Sequence, residues 1–335
     1  MKSITTEIAI IGAGSSGCFI ANLLHESGID CTLIEKSRGL GGRCSRRRVD
    51  KNISVDLGAQ EFSMTNIQNP ILQDKLRSWI QSGFLSPWSK TTSHFKRSDK
   101  IEVIETLCAS PSMNTWHKKI SIGINTLTHC KVHTLKLVEN HWHLLDEQGK
   151  CISVARKVII TSPAEQAFDL LKEFDGFSDC ERAAHKSLPQ YVCAIGFTKP
   201  INMAADSFQG GHTVLESATR EHTKPGRDQS TQDIWLLHST YEWARQQGST
   251  SHQQAALALT ESFCQNFKIH EPPTILTSHF WRLSRHESVL NKREPFIWNS
   301  DLKIGCCGDW LDNNEISGAL NSALALFEKI THTSK

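Results

Sequence analysis

The chain of 335 residues lacks the features of a membrane, secreted or nucleic-acid-binding protein. Its longest apolar runs, such as Ile8–Ile11 and Leu324–Phe327, fall far short of the roughly 20 residues that a membrane-spanning helix needs. The formal net charge is only +2, so electrostatics gives no reason to expect nucleic acid or a membrane as a partner. The N-terminus shows no basic start followed by a long apolar segment. We therefore expect a cytoplasmic protein.

The eleven cysteines lack the paired spacing of disulfide or zinc frameworks. Cys306 and Cys307 are adjacent, but they fall on a predicted strand, where neighbouring side chains point to opposite faces. We expect free thiols that serve as small core residues. Four histidines between residues 129 and 143 surround predicted hairpins, and we expect no metal site there.

The first sixty residues carry the strongest functional signal. An apolar strand, Ile8–Ile11, runs into a GxGxxG motif and then a helical pattern, and a second strand, Cys31–Ile34, ends on Glu35. The glycines permit a tight turn and close approach of a pyrophosphate, and the helix N-terminus offers N–H donors to phosphate. Glu35 is placed to accept hydrogen bonds from a ribose, and it disfavours the 2′-phosphate of NADP. This order of elements predicts a dinucleotide site.

A second glycine loop, Gly39–Arg43, follows Glu35 almost directly. Gly41 and Gly42 permit close backbone approach, and Arg43 can offer a bidentate guanidinium to phosphate. A plain NAD-binding domain has no need of this loop. It resembles the R-x-G-G-R segment of flavoproteins in the glutathione-reductase-like and amine-oxidase-like superfamily, where the loop lies along FAD. We therefore favour FAD, and we interpret Arg46–Arg48 as a surface stretch.

Later segments return to the same nucleotide-binding unit. They predict a three-stranded meander, a parallel strand, a helix opened by a capping box, and a last strand and helix. These segments are Val132–Val138, His141–Leu145, Cys151–Val154, Lys157–Thr161, Ser162–Glu165, Leu302–Cys307 and the helix from Glu315.

The predicted fold class is α/β, with an FAD/NAD(P)-binding Rossmann-like domain of glutathione-reductase type and an interleaved α+β substrate domain. We assign residues 1–60, 110–169 and 295–335 to the discontinuous FAD-binding domain. Residues 61–109 and 170–294 form the predicted substrate domain.

The chain resembles the renalase family of FAD-dependent oxidoreductases over most of its length. The front motifs are common to many FAD enzymes, whereas the combination of later motifs is more specific. The segments that carry the resemblance are Gly12–Gly17, Glu35–Gly39, Gly41–Arg43, Asp56–Gln60, Lys224–Arg227, Trp235–Ser239, Glu242-Trp243, His279, Trp281-Arg282, Cys307–Trp310 and Gly318-Ala319.

The resemblance implies non-covalently bound FAD. The implied cofactor contacts, together with those from the glycine loops, are Gly12, Ala13, Gly14, Ser15, Ser16, Gly17, Glu35, Lys36, Gly41, Gly42, Arg43, Ala59, Gln60, Val132, Asp309 and Ile316. Candidates to line the substrate cavity are Gln60, Trp235, His238, Trp281 and Arg282. We assign no catalytic side chain, because the flavin carries the reactivity. Glu61, Leu283 and Ser284 depart from the family pattern, which leaves the substrate open.

The implied reaction is oxidation of a dihydronicotinamide, 2- or 6-dihydro-NAD(P), by direct hydride transfer to flavin N5. O2 then reoxidises the flavin and yields H2O2. One alternative is a flavin oxidase that acts on an amine or a porphyrinogen-like ring. A second alternative is an FAD-binding scaffold without enzymatic activity.

Overall fold

The computed structural model describes residues 4–51, 53–63, 67–227, 232–248, 250–287 and 294–332. This part of the chain contains eight α-helices and seventeen strands. The α-helices, α1 to α8 in chain order, are Ser15–Glu26, Pro70–Gln81, Thr115–Ile120, Ala164–Leu171, Ser178–Ala184, Tyr241–Gln247, His252–Phe267 and Ile316–His332. The strands, β1 to β17, are Ile4–Ile11, Cys31–Ile34, Arg46–Arg48, Ser54–Asp56, Ser86–His94, Arg97–Cys108, Asn125–Leu127, Thr134–Val138, His141–Leu145, Cys151–Ile160, Ser187–Phe197, Ser207–Gln209, Leu215–Arg220, Asp233–Ser239, Thr274–His286, Phe296–Asn299 and Ile304–Cys307.

The first sheet is a Rossmann-type sheet in the order β16-β17-β10-β1-β2-β7, with β8 and β9 attached beyond β10. β1 pairs in parallel with β2 and with β10, and β10 pairs in parallel with β17. Successive residues face opposite layers: Ile10 packs with α1 and α8, and Ile11 packs with α4 and α5. The predicted α/β class is therefore confirmed. Cys306 and Cys307 also face opposite layers, as expected, and both side chains are buried.

Two of the later segments differ from their predictions, the last strand of the meander and the start of α4. Cys151–Ile160 is one continuous strand, because β1 pairs in parallel with residues 153–160 along one edge. The other edge pairs antiparallel with β9 in its first half and in parallel with β17 at its end. The predicted capping box at Ser162–Glu165 is wrong. Pro163 has extended backbone angles and is the N-cap, the helix begins at Ala164, and the buried hydroxyl of Ser162 has no hydrogen-bond partner.

The second sheet has the order β15-β11-β14-β13-β12-β5-β6. One face packs against α7 around Trp235 and Phe263, and the other face packs against the short β3–β4 ribbon around Leu57. The turn after β4 therefore lies between the two sheets. This is the position at which residues from both sheets can meet a bound molecule.

Two helices pack differently from the predicted domain boundaries. α2 lies against α1 through Trp79 and Phe19, and Cys180 of α5 lies against Cys306 of β17. α2 thus packs on α1 and α5 packs on the Rossmann sheet, although both helices fall within the predicted substrate domain, residues 61–109 and 170–294. None of the helices in the described ranges is long and apolar enough to span a membrane.

Candidate functional site

The first glycine loop joins β1 to α1. Gly12 has a φ angle of +104°, which side-chain-bearing residues rarely adopt. A Cβ atom on Gly17 would lie 1.9 Å from the carbonyl oxygen of Gly12, so only glycine allows this close packing. Gly14 is different, because a Cβ atom there would meet no other atom within 4 Å. The loop therefore leaves open space at Gly14, in front of the N-terminus of α1.

Glu35 is buried at the end of β2 and faces this loop. Its carboxylate accepts hydrogen bonds from the backbone N–H of Ala13, at 2.8 Å, and of Ser37, at 2.7 Å. These two bonds fix the carboxylate beside the open space. Each oxygen keeps a lone pair that can accept from a further donor such as a ribose hydroxyl.

The second glycine loop lies directly on the first. The N–H of Gly41 donates to the carbonyl oxygen of Ala13 at 2.8 Å. Gly41 and Gly42 both have positive φ angles, and a Cβ atom on Gly42 would lie 3.2 Å from the Cα atom of Gly14. Glycine is required here because the two loops approach backbone to backbone. The two predicted motifs therefore form one structure.

Arg43 connects this loop to the C-terminal motif. Its guanidinium donates to the carboxylate of Asp309 at 2.5 Å and to the carbonyl oxygen of Ser284 at 3.0 Å. The backbone N–H of Ala59 donates to the carbonyl oxygen of Arg43 at 3.0 Å. Arg43, Ala59 and Asp309 are thus brought together from three distant parts of the sequence.

Four other predicted cofactor contacts are Ser16 and Lys36, which form hydrogen bonds within the protein, and Val132 and Ile316. The Ser16 hydroxyl donates to the carbonyl oxygen of Ala319 in α8, and the Lys36 ammonium donates to Gln166. Val132 is buried in the layer that holds α4 and α5. Ile316 is the first residue of α8, whose N-terminus favours negative charge nearby.

The observed loops fit a dinucleotide. Gly14 leaves open space where a phosphate can approach the backbone, α1 offers its N-terminal N–H groups, and Glu35 stands beside the same space. Arg43, at the end of the second loop, forms an ion pair with Asp309. Within the described ranges, no group of three or more histidine, cysteine, aspartate or glutamate side chains could hold a metal ion.

Four buried charges surround the turn after β4. Arg227 binds the carboxylates of both Asp56 and Glu221, and the Lys224 ammonium lies 2.7 Å from Glu221 and 3.5 Å from Asp56. Lys224 also donates to the side-chain oxygen of Gln60 at 2.6 Å. The amide nitrogen of Gln60 in turn donates to the carbonyl oxygens of Asp56 and Gly58. The Gln60 side chain is therefore held in one orientation.

This buried network is electrically neutral, with two acids and two bases. Burial alone would raise the pKa of Glu221, but Lys224 and Arg227 hold it below its usual value. Buried ion networks rarely add stability over apolar residues of similar volume. Its presence at the turn therefore points to a role in holding the turn and Gln60 in one geometry.

His238 and Trp281 lie on the other side of the same turn. The Nε2 atom of His238 is 3.2 Å from the carbonyl oxygen of Gly58, and the Trp281 N–H donates to that of Leu57 at 2.9 Å. Burial lowers the pKa of His238 to about 4, so its imidazole is neutral near pH 7. The structure thus places Gln60, His238 and Trp281 around one turn.

Trp235 and Arg282 lie elsewhere. Trp235 is fully buried on the opposite face of its strand from His238, where it packs against Phe263. The odd spacing of three residues in a strand puts these two side chains on opposite faces. Arg282 is exposed and forms an ion pair with Glu165 of α4. Neither residue meets the turn around which the other cavity candidates gather.

Two of the departures from the family pattern have defined partners. Glu61 forms a largely buried ion pair with Lys90 of β5, and its second carboxylate oxygen is buried without a hydrogen-bond partner. The hydroxyl of Ser284 donates to Gln190. Leu283 lines a small cavity with Arg43 and other residues.

The segment from Ala109 to His117 was missed by the sequence analysis. The carbonyl oxygen of Ala109 accepts from Arg227, and the N–H of Met113 donates to Asp56. Asn114 fills the space beside Gly41, and the imidazole of His117 lies 3.0 Å from the hydroxyl of Ser15. The segment thus contacts both glycine loops and the charged network. Its sequence has no motif, and these contacts are all distant along the chain.

Comparison with protein families and curated proteins gives partial matches. Residues 10–77 match the family described as NAD(P)-binding Rossmann-like domain. A ferredoxin–NADP reductase of Colwellia psychrerythraea is 30% identical over 131 residues, which are 39% of this chain and 32% of that protein. A flavin-containing monooxygenase of Aspergillus flavus is 33% identical over 75 residues, 22% of this chain and 16% of that protein. The chain thus spans about a third or less of these relatives.

Solved structures match over nearly the whole chain. A putrescine oxidase with three substitutions has a TM-score of 0.71 at 11% identity, covering 99% of this chain and 100% of that one. A cyclohexylamine oxidase of Brevibacterium oxydans has a TM-score of 0.71 at 12% identity, covering 97% and 99%. At such identities the likeness shows the fold alone. The chain therefore has the α/β fold of the putrescine and cyclohexylamine oxidases, and residues 10–77 match an NAD(P)-binding Rossmann-like domain.

Proposed function

We propose that this protein is an FAD-dependent oxidoreductase of renalase type. It oxidises a dihydronicotinamide, 2- or 6-dihydro-NAD(P), by direct hydride transfer to the flavin, and O2 reoxidises the flavin with release of H2O2. The observation that carries the proposal is the contact of two glycine loops around the open space at Gly14. A single such loop suffices for NAD, whereas the second loop, with Arg43, supports FAD.

The chain's residues supply binding and orientation. FAD, when bound, supplies the acceptor for the hydride. Gly14 and the N-terminus of α1 would hold the pyrophosphate, and Glu35 would hold a ribose. Ala59 and Gln60 form the turn that faces both sheets, and Lys224 keeps the Gln60 amide in place. The N-terminus of α8 favours negative charge that develops near Ile316.

Direct hydride transfer is supported by the state of the histidine at the turn. His238 is buried, neutral and engaged with the carbonyl oxygen of Gly58. A base with a pKa of about 4 is poorly matched to accepting a proton near pH 7. The resemblance to the renalase family supports a dihydronicotinamide as the hydride donor.

Amine oxidation is the second candidate. It is favoured by one observation, the fold shared with the putrescine and cyclohexylamine oxidases. Oxidation of an amine requires that the substrate nitrogen be deprotonated before the electrons leave. The two candidates therefore differ in their dependence on pH.

We expect flavin reduction by a dihydronicotinamide to vary little between about pH 6 and pH 8. His238→Gln should slow reduction by less than about tenfold, because it changes the shape of the site and removes no required base. Loss of a true general base costs about 10²–10⁴-fold. Anaerobic stopped-flow absorbance against pH measures this, and His279→Gln on strand β15 of the same sheet is the matched variant. A steep profile that His238→Gln abolishes would contradict direct hydride transfer.

FAD should be released completely when the protein is precipitated with acid. The candidates for covalent attachment near the C-terminal motif are Cys306 and Cys307, and both side chains are buried in the sheet layers. Burial also raises the pKa of the Cys307 thiol far above its usual value, which disfavours the nucleophilic thiolate. The absorbance of the supernatant measures the release. Yellow colour that stays in the washed pellet would show a covalent bond.

A further inference from the structure

The hydroxyl of Ser15 is held by a histidine that the proposed function does not use. Ser15 is the first residue of α1, in the loop that leaves open space at Gly14. The Nε2 atom of His117, from α3, lies 3.0 Å from its Oγ atom. His117 is fully buried, although nothing in the sequence pattern marks it as functional.

The surroundings of His117 keep the imidazole neutral and in place. Its ring packs against that of Trp116, with 4.1 Å between the ring centroids. The contact with Ser15 is the side-chain hydrogen bond of the ring, and the backbone of Met113 opposes the effect of burial on its pKa. Burial lowers the pKa of His117 to about 3. The hydroxyl has one proton, so for it to donate to a phosphate the neutral imidazole must donate its Nε2–H to the Ser15 oxygen.

The contact matters because a serine hydroxyl otherwise rotates freely. Ser15 lies at a helix N-terminus, where N–H groups and the helix dipole attract a phosphate. The Sγ atom of Cys44, which directly follows the second glycine loop, lies 3.9 Å from the Ser15 Oγ atom. Asn114, three residues before His117, fills the space beside Gly41. The start of α3 therefore contacts both glycine loops.

We propose that His117 is a positioning residue that holds the Ser15 hydroxyl toward the pyrophosphate of the bound dinucleotide. The inference rests on the proposed nucleotide site. It does not depend on the choice of dinucleotide, because FAD and NAD share the pyrophosphate. A histidine that merely fills the core would support α1 and α3 regardless of the residue at position 15. The two roles differ in whether the effect of His117 requires the serine.

A double-mutant cycle separates these roles. FAD is titrated into the cofactor-free full-length chain by flavin fluorescence, for the unaltered chain, His117→Leu, Ser15→Ala and the double variant. Ser15→Ala should weaken FAD binding about 10- to 100-fold, the loss of a hydrogen bond to a charged group. His117→Leu should weaken it about tenfold, and the double variant should bind no more weakly than Ser15→Ala. His117→Gln, whose amide reaches a similar position, should restore most of the affinity.

Strictly additive losses in the cycle would overturn the proposal, as would a His117→Gln variant no better than His117→Leu. Thermal unfolding without cofactor checks that each variant is folded. Should His117→Leu not fold, the ring-nitrogen NMR signals of His117 in the unaltered chain give the answer. They should shift when FAD binds, and much less in Ser15→Ala. An unchanged signal in the unaltered chain would overturn the proposal.

A parallel titration with NAD keeps this inference distinct from the proposed function. A chain that binds NAD and not FAD contradicts the flavoenzyme proposal, and the same cycle then tests His117 on NAD. A chain that binds neither dinucleotide contradicts both.

Discussion

Lys224→Met is expected to lower the free energy of unfolding by about 3–5 kcal/mol. The ammonium of Lys224 is fully buried and lies between the carboxylates of Glu221 and Asp56. Its removal leaves an uncompensated negative charge at a buried site. Urea unfolding measures the loss. The slope of the free energy of unfolding against urea concentration should be the same in the variant and the unaltered chain. The double variant Lys224→Met/Glu221→Gln restores neutrality and should recover part of the lost stability.

The matched control is Arg77→Met on α2. Arg77 also forms an ion pair, with Asp74, but both side chains are largely exposed, and such pairs contribute about 0–1 kcal/mol. A Lys224→Met variant that loses no more stability than Arg77→Met would contradict the account of the network. So would a Lys224→Met/Glu221→Gln variant whose loss of stability equals the sum of the losses measured for Lys224→Met and Glu221→Gln alone.

Gly14→Ala should weaken FAD binding about 10- to 100-fold with almost no change in the stability of the cofactor-free chain. A Cβ atom at this position meets nothing within 4 Å, and the φ angle of −79° suits alanine. The added methyl group instead occupies the space in which a phosphate would approach the loop. The loss of one hydrogen bond from the backbone to a charged phosphate accounts for the expected magnitude. Flavin fluorescence titration and thermal unfolding together measure the two effects.

Gly17→Ala is the matched contrast within the same loop. Its Cβ atom would lie 1.9 Å from the carbonyl oxygen of Gly12, so α1 must shift and the cofactor-free chain itself should lose stability. Overpacking of this kind costs about 1–3 kcal/mol. Equal losses of stability in Gly14→Ala and Gly17→Ala would show that the space at Gly14 is not open in the folded protein. Unchanged FAD binding in Gly14→Ala would show that no phosphate approaches there.

The Rossmann core was predictable because its signals are local. β1, the first glycine loop, α1 and β2 follow one another within 31 residues, from Ile4 to Ile34. Cys31–Ile34 was predicted with its observed bounds, since an apolar run between turn residues leaves little choice. The long strand Cys151–Ile160 was harder to predict, because one of its edges pairs first with β9 and then with β17, and the sequence shows no break at that change.

The charged network and the contacts of α3 were not predictable from patterns. Asp56 and Arg227 form an ion pair across 171 positions in the sequence, and Ser15 and His117 meet across 102. Neither spacing follows a helix or strand period. Lys224 and Arg227 belong to a motif that carries the family resemblance, yet the bond from Lys224 to Gln60 and the shared partner Glu221 became visible only in the fold.

The position of Trp235 could not be predicted for a different reason. Every residue of β14 is buried, because α7 covers one face of the sheet and the β3–β4 ribbon covers the other. A strand buried on both faces reveals no alternation of polar and apolar residues. The sequence therefore could not tell which face meets the turn, and the structure places His238 on that face and Trp235 in the core.

The central claim is most directly tested by anaerobic titration of the purified FAD-bound protein with single electron donors. The donors are 2- and 6-dihydronicotinamide dinucleotides, putrescine and cyclohexylamine, and the signal is the loss of flavin absorbance. The account predicts rapid and complete bleaching by a dihydronicotinamide isomer, no bleaching by either amine, and recovery of the colour with H2O2 release when O2 is admitted. Bleaching by an amine alone, or by none of the donors, would contradict it.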